Sequence, residues 1–309
     1  MIYTLTLNPA IDMNIISDKL LPNQVNRTKH VEYSPNGKGV NVSIVLKHYK
    51  MESTIIGVFG GFSGNYIVEE LKNRDYSVLP IWVNEDTRIN VFANDGHNEF
   101  KFVSPGSFVS EEKQKEILDL IKSLKDMKYL VISGSLPPGI NENFFNEIVF
   151  EAKKLNAEII FDISSLALKH LVTTKPFLIK PNDDELKEIF NLDSTTKAEV
   201  IHSIKTLHKQ GVKNILLTMG SKGLYFSNGE DIYFCNTPKI NLLSSACAGD
   251  SCLAAFLSSW LDGKDIEFSL KLASATGANV AESNGIGDLK KVKEYMEKIN
   301  IEKVEVIYE

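Results

Sequence analysis

The chain has 309 residues and a formal net charge of −6, and 43% of its residues are hydrophobic, which excludes a disordered or fibrous protein. Its length allows one large domain or two modest ones. The apolar runs fall far short of the roughly 20 residues of a membrane helix, and the acidic balance argues against nucleic acid or an anionic membrane as partner. The first residues, MIYTLTLNPA, carry no signal-peptide pattern, so we expect a cytoplasmic protein.

The cysteines are few: Cys235, Cys247 and Cys252. Their odd number and their lack of metal-ligand spacing argue against a disulfide scaffold and a zinc module. A phosphorylated substrate remains compatible with the negative net charge, because a few well-placed cations outweigh a mild net charge locally.

The first hundred residues contain four stretches that are typical of strands, at 11–16, 27–33, 88–94 and 99–103. The polar segment 94–97 predicts a hairpin between the last two. Such strands do not fit the centre of a doubly wound sheet. We therefore expect a small separate sheet that covers the main one as a lid, hiding a substrate or pairing with a second lid across a dimer.

From about residue 110 onward, short apolar runs alternate with amphipathic stretches. The predicted strands are Tyr129–Ser133, Glu158–Asp162, 177–180, Asn214–Thr218 and, last, 304–307. The predicted helices are 143–155, Asp183–Phe190, 198–210, 250–261 and 267–283. Strand and helix in alternation indicate a parallel sheet with helices on both faces.

Two glycine-containing loops suit an anion. Gly37 and Gly39 flank Lys38 at the start of a helix, exposing backbone N–H groups and an ammonium, although an ordinary loop with a solvated lysine has the same pattern. Residues 244–251 precede a strongly apolar helix. Asp250 there is either a helix cap or first-turn acid, or the base that accepts a proton from an attacking hydroxyl.

Two further strings follow strands. Asn182 and Glu185 have the spacing of a capping box, and as oxygen donors they could also orient hydrated magnesium near nucleotide phosphates. Thr218, Gly220 and Gly223 form either a plain turn or the edge of a nucleotide site. The Walker sequence, the GxSxG elbow and the HExxH helix are absent from the sequence.

Taken together and in order, these strings resemble the ribokinase-like sugar kinases, in particular the phosphofructokinase B branch. The matching motifs are residues 6–12, 37–42, 60–62, 86–91, 133–137, 180–182 with Glu185, and 248–251. The resemblance implies an α/β fold, namely a three-layer α/β/α sandwich with a mostly parallel sheet and a small β-sheet lid, as one domain over residues 1–309. It also implies a homodimer through the lid.

The resemblance implies ATP- and magnesium-dependent phosphorylation of a sugar phosphate. The string at 87–91 favours fructose 1-phosphate, giving fructose 1,6-bisphosphate, and tagatose 6-phosphate is the alternative. The implied catalytic residues are Asp250 as base and the N–H groups of Ala248 and Gly249. The residues implied for the sugar and its phosphate are Asp12, Arg27, Gly37, Lys38, Gly39, Asn41, Arg88 and Ser135. Those implied for ATP and, through water, magnesium are Asn182, Glu185, Thr218, Gly220, Gly223 and Asn279.

Two positions depart from the family pattern. Asn36 stands where the substrate loop usually begins with glycine, and Cys247, within the catalytic set, replaces the first glycine of Gly-Ala-Gly-Asp. A positive φ at Cys247 would cost roughly 1–3 kcal/mol, and its side chain would approach the phosphate path. The competing expectation is therefore a catalytically weakened sugar-phosphate sensor.

Overall fold

The structure, a computed structural model, describes residues 1–304 and contains within them a ten-stranded and a four-stranded β-sheet. The strands, in chain order, are β1 (Ile2–Thr6), β2 (Ala10–Ser17), β3 (Thr28–Asn36), β4 (Ser53–Gly60), β5 (Ser77–Val83), β6 (Ile89–Asn94), β7 (Glu99–Phe102), β8 (Tyr129–Ser133), β9 (Glu158–Asp162), β10 (Leu178–Ile179), β11 (Asn214–Thr218), β12 (Leu224–Ser227), β13 (Ile232–Cys235) and β14 (Ile301–Val304). The helices are α1 (Lys38–His48), α2 (Gly61–Asn73), α3 (Glu111–Ser123), α4 (Asn143–Lys154), α5 (Leu168–Leu171), α6 (Asp183–Phe190), α7 (Lys197–Lys209), α8 (Ala248–Trp260), α9 (Ile266–Ala281) and α10 (Val292–Glu297).

The larger sheet has the order β14-β13-β12-β11-β10-β9-β8-β1-β4-β5. Neighbours are parallel from β5 to β11, and the strands from β11 to β14 pair antiparallel. From β1 the chain winds to one side through β4 and β5, and it then returns to the other side at β8. In open sheets of this kind, ligands bind at the carboxyl ends of the strands where the winding reverses.

Helices cover both faces of this sheet, which confirms the predicted three layers. In β8, Leu130 and Ile132 join the core that contains Phe144 of α4, whereas Val131 joins the core that contains Phe256 of α8. Strands buried on both faces read as nearly continuous apolar runs, which is why this strand was recognisable from the sequence.

The smaller sheet, called the lid below, has the order β3-β2-β6-β7. β2 pairs antiparallel with β3 and parallel with β6, and the hairpin predicted between β6 and β7 is confirmed. In its turn, Asp95 accepts hydrogen bonds from the backbone N–H groups of His97 and Asn98. The four strands predicted to form a separate sheet do so, with β3 extending further than expected.

Three predictions needed adjustment. No elements were predicted from the sequence over residues 53–83, which form a regular β4-α2-β5 unit. Pro80 inside β5 obscured the apolar pattern of that strand. The predicted 177–180 strand shrinks to the two residues of β10. The predicted strand at 304–307 coincides with β14 only at Val304, and residues 305–307 lie outside the described residues.

No helix among residues 1–304 is long and apolar enough to cross a membrane.

Candidate active site

The winding reversal between β1 and β8 gathers most of the predicted site residues. β1 continues through residues 7–9 into β2, which carries Asp12, and β8 is followed by Ser135. β9 ends at Asp162, and Lys180 follows β10 directly. Because the carboxyl ends of parallel strands share one edge of the sheet, these residues lie along one cleft edge.

Helix α8 begins at this edge. Its N-cap is Cys247, with φ 61° and ψ −10°, and Ala248, Gly249 and Asp250 form its first turn. The N-cap alternative for Asp250 is therefore wrong, whereas the first-turn position is confirmed. The first N–H groups of a helix have no intrahelical partner and carry partial positive charge, so this turn can bind an anion.

Asp250 is buried, and its Oδ2 accepts a hydrogen bond of 2.8 Å from Asn41 Nδ2. Burial raises the pKa of Asp250 to about 6, the carboxylate of Asp162 adds to this shift, and Lys38 opposes it. A carboxylate with that pKa is mostly ionised at neutral pH and accepts a proton more readily than an exposed one. Perturbed acids in clefts are candidates for catalysis.

Asp162 holds two lysines beside Asp250. The fully buried carboxylate accepts hydrogen bonds through Oδ1 from Lys38 Nζ at 3.1 Å and Lys180 Nζ at 3.0 Å. Burial alone would raise the pKa of Asp162, but the two ammonium charges outweigh it and lower that pKa. Burial likewise works against the charge of Lys38, whose pKa is nevertheless raised by Asp162, Asp250 and Glu185. The three groups therefore share two positive charges and one negative charge.

Asp162 and Lys180 were missed by sequence reasoning. Lys180 is 4% exposed, and its Nζ lies 3.4 Å from the point where a Cβ on Gly249 would sit. The ammonium of Lys180 thus lies beside the first turn of α8. The sequence signals were the matching motif at 180–182, which contains Lys180 but to which no role for that lysine was assigned, and a charged residue at the end of each of two neighbouring predicted strands.

The capping box predicted at the start of α6 is present. Asn182 accepts from the Glu185 N–H at 2.7 Å, and Glu185 Oε2 accepts from the Asn182 N–H at 3.0 Å. Glu185 Oε1 accepts from the hydroxyl of Ser164, which itself accepts from Lys38 Nζ at 3.1 Å. Both carboxylate oxygens of Glu185 therefore already accept hydrogen bonds from the protein.

The side-chain oxygens of Asn182 and Glu185 suit a magnesium ion held through water better than one that they ligate directly. Within residues 1–304 no group of three His, Cys, Asp or Glu side chains gathers to hold a metal. Asp162 Oδ2 is buried without a partner among the described residues, adding a hard oxygen acceptor at the same edge. Magnesium prefers oxygen and usually keeps several of its waters, which such a set allows.

Asp12, predicted to bind the sugar, is buried in β2. Its Oδ1 accepts from Asn90 Nδ2 at 2.9 Å, and its Oδ2 accepts from Asn36 Nδ2. Burial raises the pKa of Asp12, and the hydrogen bonds and the charge of Arg88 oppose the shift. Both carboxylate oxygens of Asp12 are thus engaged by amides of the lid, one from β6 and one from β3.

Arg88 and Ser135, predicted at the sugar phosphate, both contact the connection between β1 and β2. The Arg88 guanidinium donates to the carbonyls of Asn8 and Ser104, both at 2.9 Å, and of Pro9 at 3.4 Å. Ser135 Oγ accepts from Asn8 Nδ2 at 3.2 Å. Three of the five guanidinium N–H groups are thus engaged by backbone carbonyls.

Arg27 is not brought to this edge. It is exposed and precedes β3, whose first residue, Thr28, pairs with Ser17, whereas Asp12 pairs with Ser34. Five residues along β2 correspond to about 17 Å, so Arg27 lies at the opposite end of the lid from Asp12.

The turn predicted for the nucleotide adjoins the start of α6. Thr218 bridges Asn182 in parallel fashion, and its N–H donates to Pro181 O at 3.0 Å. Gly223 has φ 106°, and a Cβ there would lie 2.4 Å from a backbone carbonyl, so the turn requires glycine. Gly220 has φ 54° and begins the same turn.

Asn279 is buried in α9 and holds the segment that follows the helix. Its Oδ1 accepts from the Lys291 N–H at 2.9 Å, and its carbonyl accepts from the Ser283 hydroxyl at 2.8 Å. Its side chain is therefore engaged with this loop.

The two departures from the family pattern meet in the cleft. Cys247 has the positive φ anticipated for its position, and its Sγ lies 3.3 Å from Asn41 Nδ2 and 3.7 Å from Asn36 Nδ2. Asn36 Oδ1 accepts from Asn41 Nδ2 at 3.0 Å. Gly37, the N-cap of α1, has φ 139°, and a Cβ on Gly39 would press on the Leu5 carbonyl at 3.1 Å, so both glycines allow α1 to begin here.

Comparison with known proteins agrees with this architecture. The model of the pfkB family of carbohydrate kinases matches residues 4–292. The chain is 50% identical to a D-tagatose-1-phosphate kinase of Klebsiella oxytoca, over 97% of this chain and 99% of that one. It is 35% identical to a 1-phosphofructokinase of Borreliella burgdorferi, over 98% and 99% of the two chains. The crystal structure of phosphofructokinase-2 from Escherichia coli with fructose-6-phosphate superposes with a TM-score of 0.86 at 26% identity, covering 96% of this chain and 99% of that one.

The family model spans both sheets apart from the edge strand β14, and it includes every motif described above. Its relatives are kinases of sugar phosphates, and that activity needs both a sugar phosphate and ATP. The chain belongs to the pfkB family of carbohydrate kinases, with a ribokinase-like fold and sugar-phosphate kinase activity.

Proposed function

We propose that this kinase transfers the γ-phosphoryl group of ATP to the 6-hydroxyl of a ketohexose 1-phosphate. Asp250 carries the proposal, since it is a buried acid with a raised pKa in the first turn of α8, beside two lysines. The 50% identical relative favours D-tagatose 1-phosphate as substrate, and fructose 1-phosphate, expected from the sequence, is the second candidate.

In this mechanism Asp250 accepts the proton of the acceptor hydroxyl as that oxygen attacks phosphorus. Asn41 donates to Asp250 Oδ2 and so orients the other oxygen toward the substrate. The N–H groups of Ala248 and Gly249 stabilise the negative charge on the transferring group. Such transfer depends on positioning and charge stabilisation rather than on a covalent enzyme intermediate.

We assign Lys38 and Lys180 to the transferring phosphoryl group. Lys38, expected at the sugar phosphate, contacts Asp162 and Ser164 on the side of Glu185. Asp162 holds both ammonium groups in place, so no reorientation is needed when charge develops. Magnesium, held through water by Asn182 and Glu185, would neutralise charge on the phosphates of ATP.

The sugar lies on the lid side in this proposal. Asp12 accepts hydrogen bonds from sugar hydroxyls, and the 1-phosphate binds near Ser135 with the two remaining guanidinium N–H groups of Arg88. A guanidinium suits phosphate oxygens because its donors are fixed in a plane. Thr218, Gly220 and Gly223 border the nucleotide.

A coupled assay over a panel of sugar phosphates tests this assignment. We expect kcat/KM to be highest for D-tagatose 1-phosphate, then fructose 1-phosphate, and far lower for tagatose 6-phosphate and fructose 6-phosphate. A preference for a 6-phosphate would contradict the proposal, and saturable binding without turnover would favour the sensor. Asp250→Asn should lower kcat by about 10²–10⁴-fold with an unchanged circular dichroism spectrum.

We further propose a homodimer formed through the lid. The lid exposes large apolar side chains, and the strand register places Tyr33, Phe100 and Phe102 on one face and Ile16 on the other. Exposed apolar groups clustered on one element are typical of a protein interface. A second copy of the same sheet is the occupant with matching shape and chemistry.

A further inference from the structure

Asn36 and Cys247 fill the space between the two acids of the cleft. Asn36 Nδ2 donates to Asp12, Asn36 Oδ1 accepts from Asn41, and Asn41 donates to Asp250. Cys247 Sγ lies against both amides of this chain of contacts. The side chains between the sugar-side acid and the acceptor-side acid are therefore two amides, Asn36 and Asn41, and the thiol of Cys247.

The thiol is neutral in this position. Burial raises the pKa of Cys247 to about 12, with Asp250 and Asp12 adding to the shift. Cys247 is thus a compact S–H group rather than a nucleophilic thiolate. Nearby, Asn90 donates to Asp12 while its own Oδ1, in a residue 7% exposed, has no partner among the described residues. The acid pair is therefore flanked by neutral groups that can exchange hydrogen bonds with a hydroxyl.

The chemistry of the substrate determines which hydroxyl this is. When O6 of a ketohexofuranose 1-phosphate lies at Asp250, ring carbon C4 is only two bonds from C6. Tagatose and fructose differ only in configuration at C4. A ring that extends from Asp250 toward Asp12 therefore brings C4 close to the side chains that lie between the two acids.

We propose that Asn36 and Cys247 determine sugar specificity by reading the configuration of the C4 hydroxyl. This inference rests on the proposed function, since it requires O6 to be the acceptor. Sites that hydrogen-bond a substrate hydroxyl discriminate strongly, because the wrong isomer leaves buried polar groups unpaired.

The test measures kcat/KM for D-tagatose 1-phosphate and fructose 1-phosphate in the wild type and in Cys247→Gly, Asn36→Gly and Cys247→Ser. We expect each glycine variant to move the ratio of the two values at least tenfold toward unity, mainly through KM. Cys247→Ser, which keeps a small neutral donor, should retain the ratio. Cys252→Ala, in the core of the same helix, is the matched control.

The outcomes separate the two proposals. Turnover of both sugars with a ratio that the glycine variants change less than twofold overturns the specificity role and leaves the proposed function intact. Wild-type turnover of neither sugar overturns both. Because glycine adopts φ 61° without the steric penalty of a side chain, Cys247→Gly should fold at least as stably as the wild type, and a thermal melt checks this.

Discussion

At the scale of single residues, Asp250 combines two opposing influences. Burial and Asp162 disfavour its charge, while Lys38, Asn41 and Lys180 favour it. The balance leaves a pKa close to the working range, which neither a surface aspartate nor a tightly ion-paired one would have. The same local charges should therefore control the pH dependence of the reaction.

We expect the acid limb of the pH profile of kcat/KM to follow a group with a pKa of about 6, activity falling below it because the base is protonated. Asp162→Asn removes a negative neighbour and should move that limb to lower pH. Lys180→Met removes a positive neighbour and should move it to higher pH.

The sugar phosphate itself ionises near the same pH, with a second pKa of about 6. This ionisation of the substrate is identical in the profiles of the wild type and the two variants. A displacement between the three profiles therefore reflects a titrating group of the protein. Coincident limbs in both variants would show that Asp250 is not the titrating group.

At the scale of elements, helices α6 and α7 start with the same capping box in different surroundings. Asn182 and Glu185 form the capping box of α6 within the cleft, and Thr196 and Glu199 form that of α7 on the surface. The sequence predicted both the cap and a magnesium role at α6, and the cap is confirmed. The pair offers an internal comparison that separates capping from metal chemistry.

Glu185→Gln and Glu199→Gln both keep a side-chain oxygen that accepts from the N-cap N–H, so each should cost well under the roughly 1 kcal/mol of a lost cap. Only Glu185→Gln removes a charge from the cleft. We expect it alone to raise the magnesium concentration needed for half-maximal rate several-fold. Equal magnesium dependence in the two variants would show that Glu185 acts only in the helix cap and not on magnesium.

At the scale of the whole molecule, most of the architecture followed from local patterns, because buried parallel strands and small-residue loops are visible in short windows. The meeting of Asp162, Lys180 and Lys38 was not predictable in this way. It needs β9 beside β10, and α1 arriving from a segment more than 120 residues earlier. Arg27 failed to reach the cleft edge for a related reason: its distance from Asp12 depends on the length of β2.

We expect the homodimer to depend on apolar contacts made by the lid. Phe102→Glu places a charge among exposed apolar side chains of the lid and should convert a dimer into a monomer in sedimentation analysis. Phe150→Glu, at a similarly exposed position on α4, should leave the dimer unchanged. A wild-type monomer, or equal effects of the two variants, would contradict a lid interface.

The contacts of Arg88 join three of the four connections between the lid and the main sheet. The chain crosses between the two sheets at residues 7–9, at Gly37 between β3 and α1, at 84–88 and again after β7, and the Arg88 guanidinium ties the carbonyls of Asn8, Pro9 and Ser104 to its own segment. One side chain therefore holds three of the four connections to the lid together. An anion that engages the remaining N–H groups of Arg88 would be linked to all three connections through that side chain.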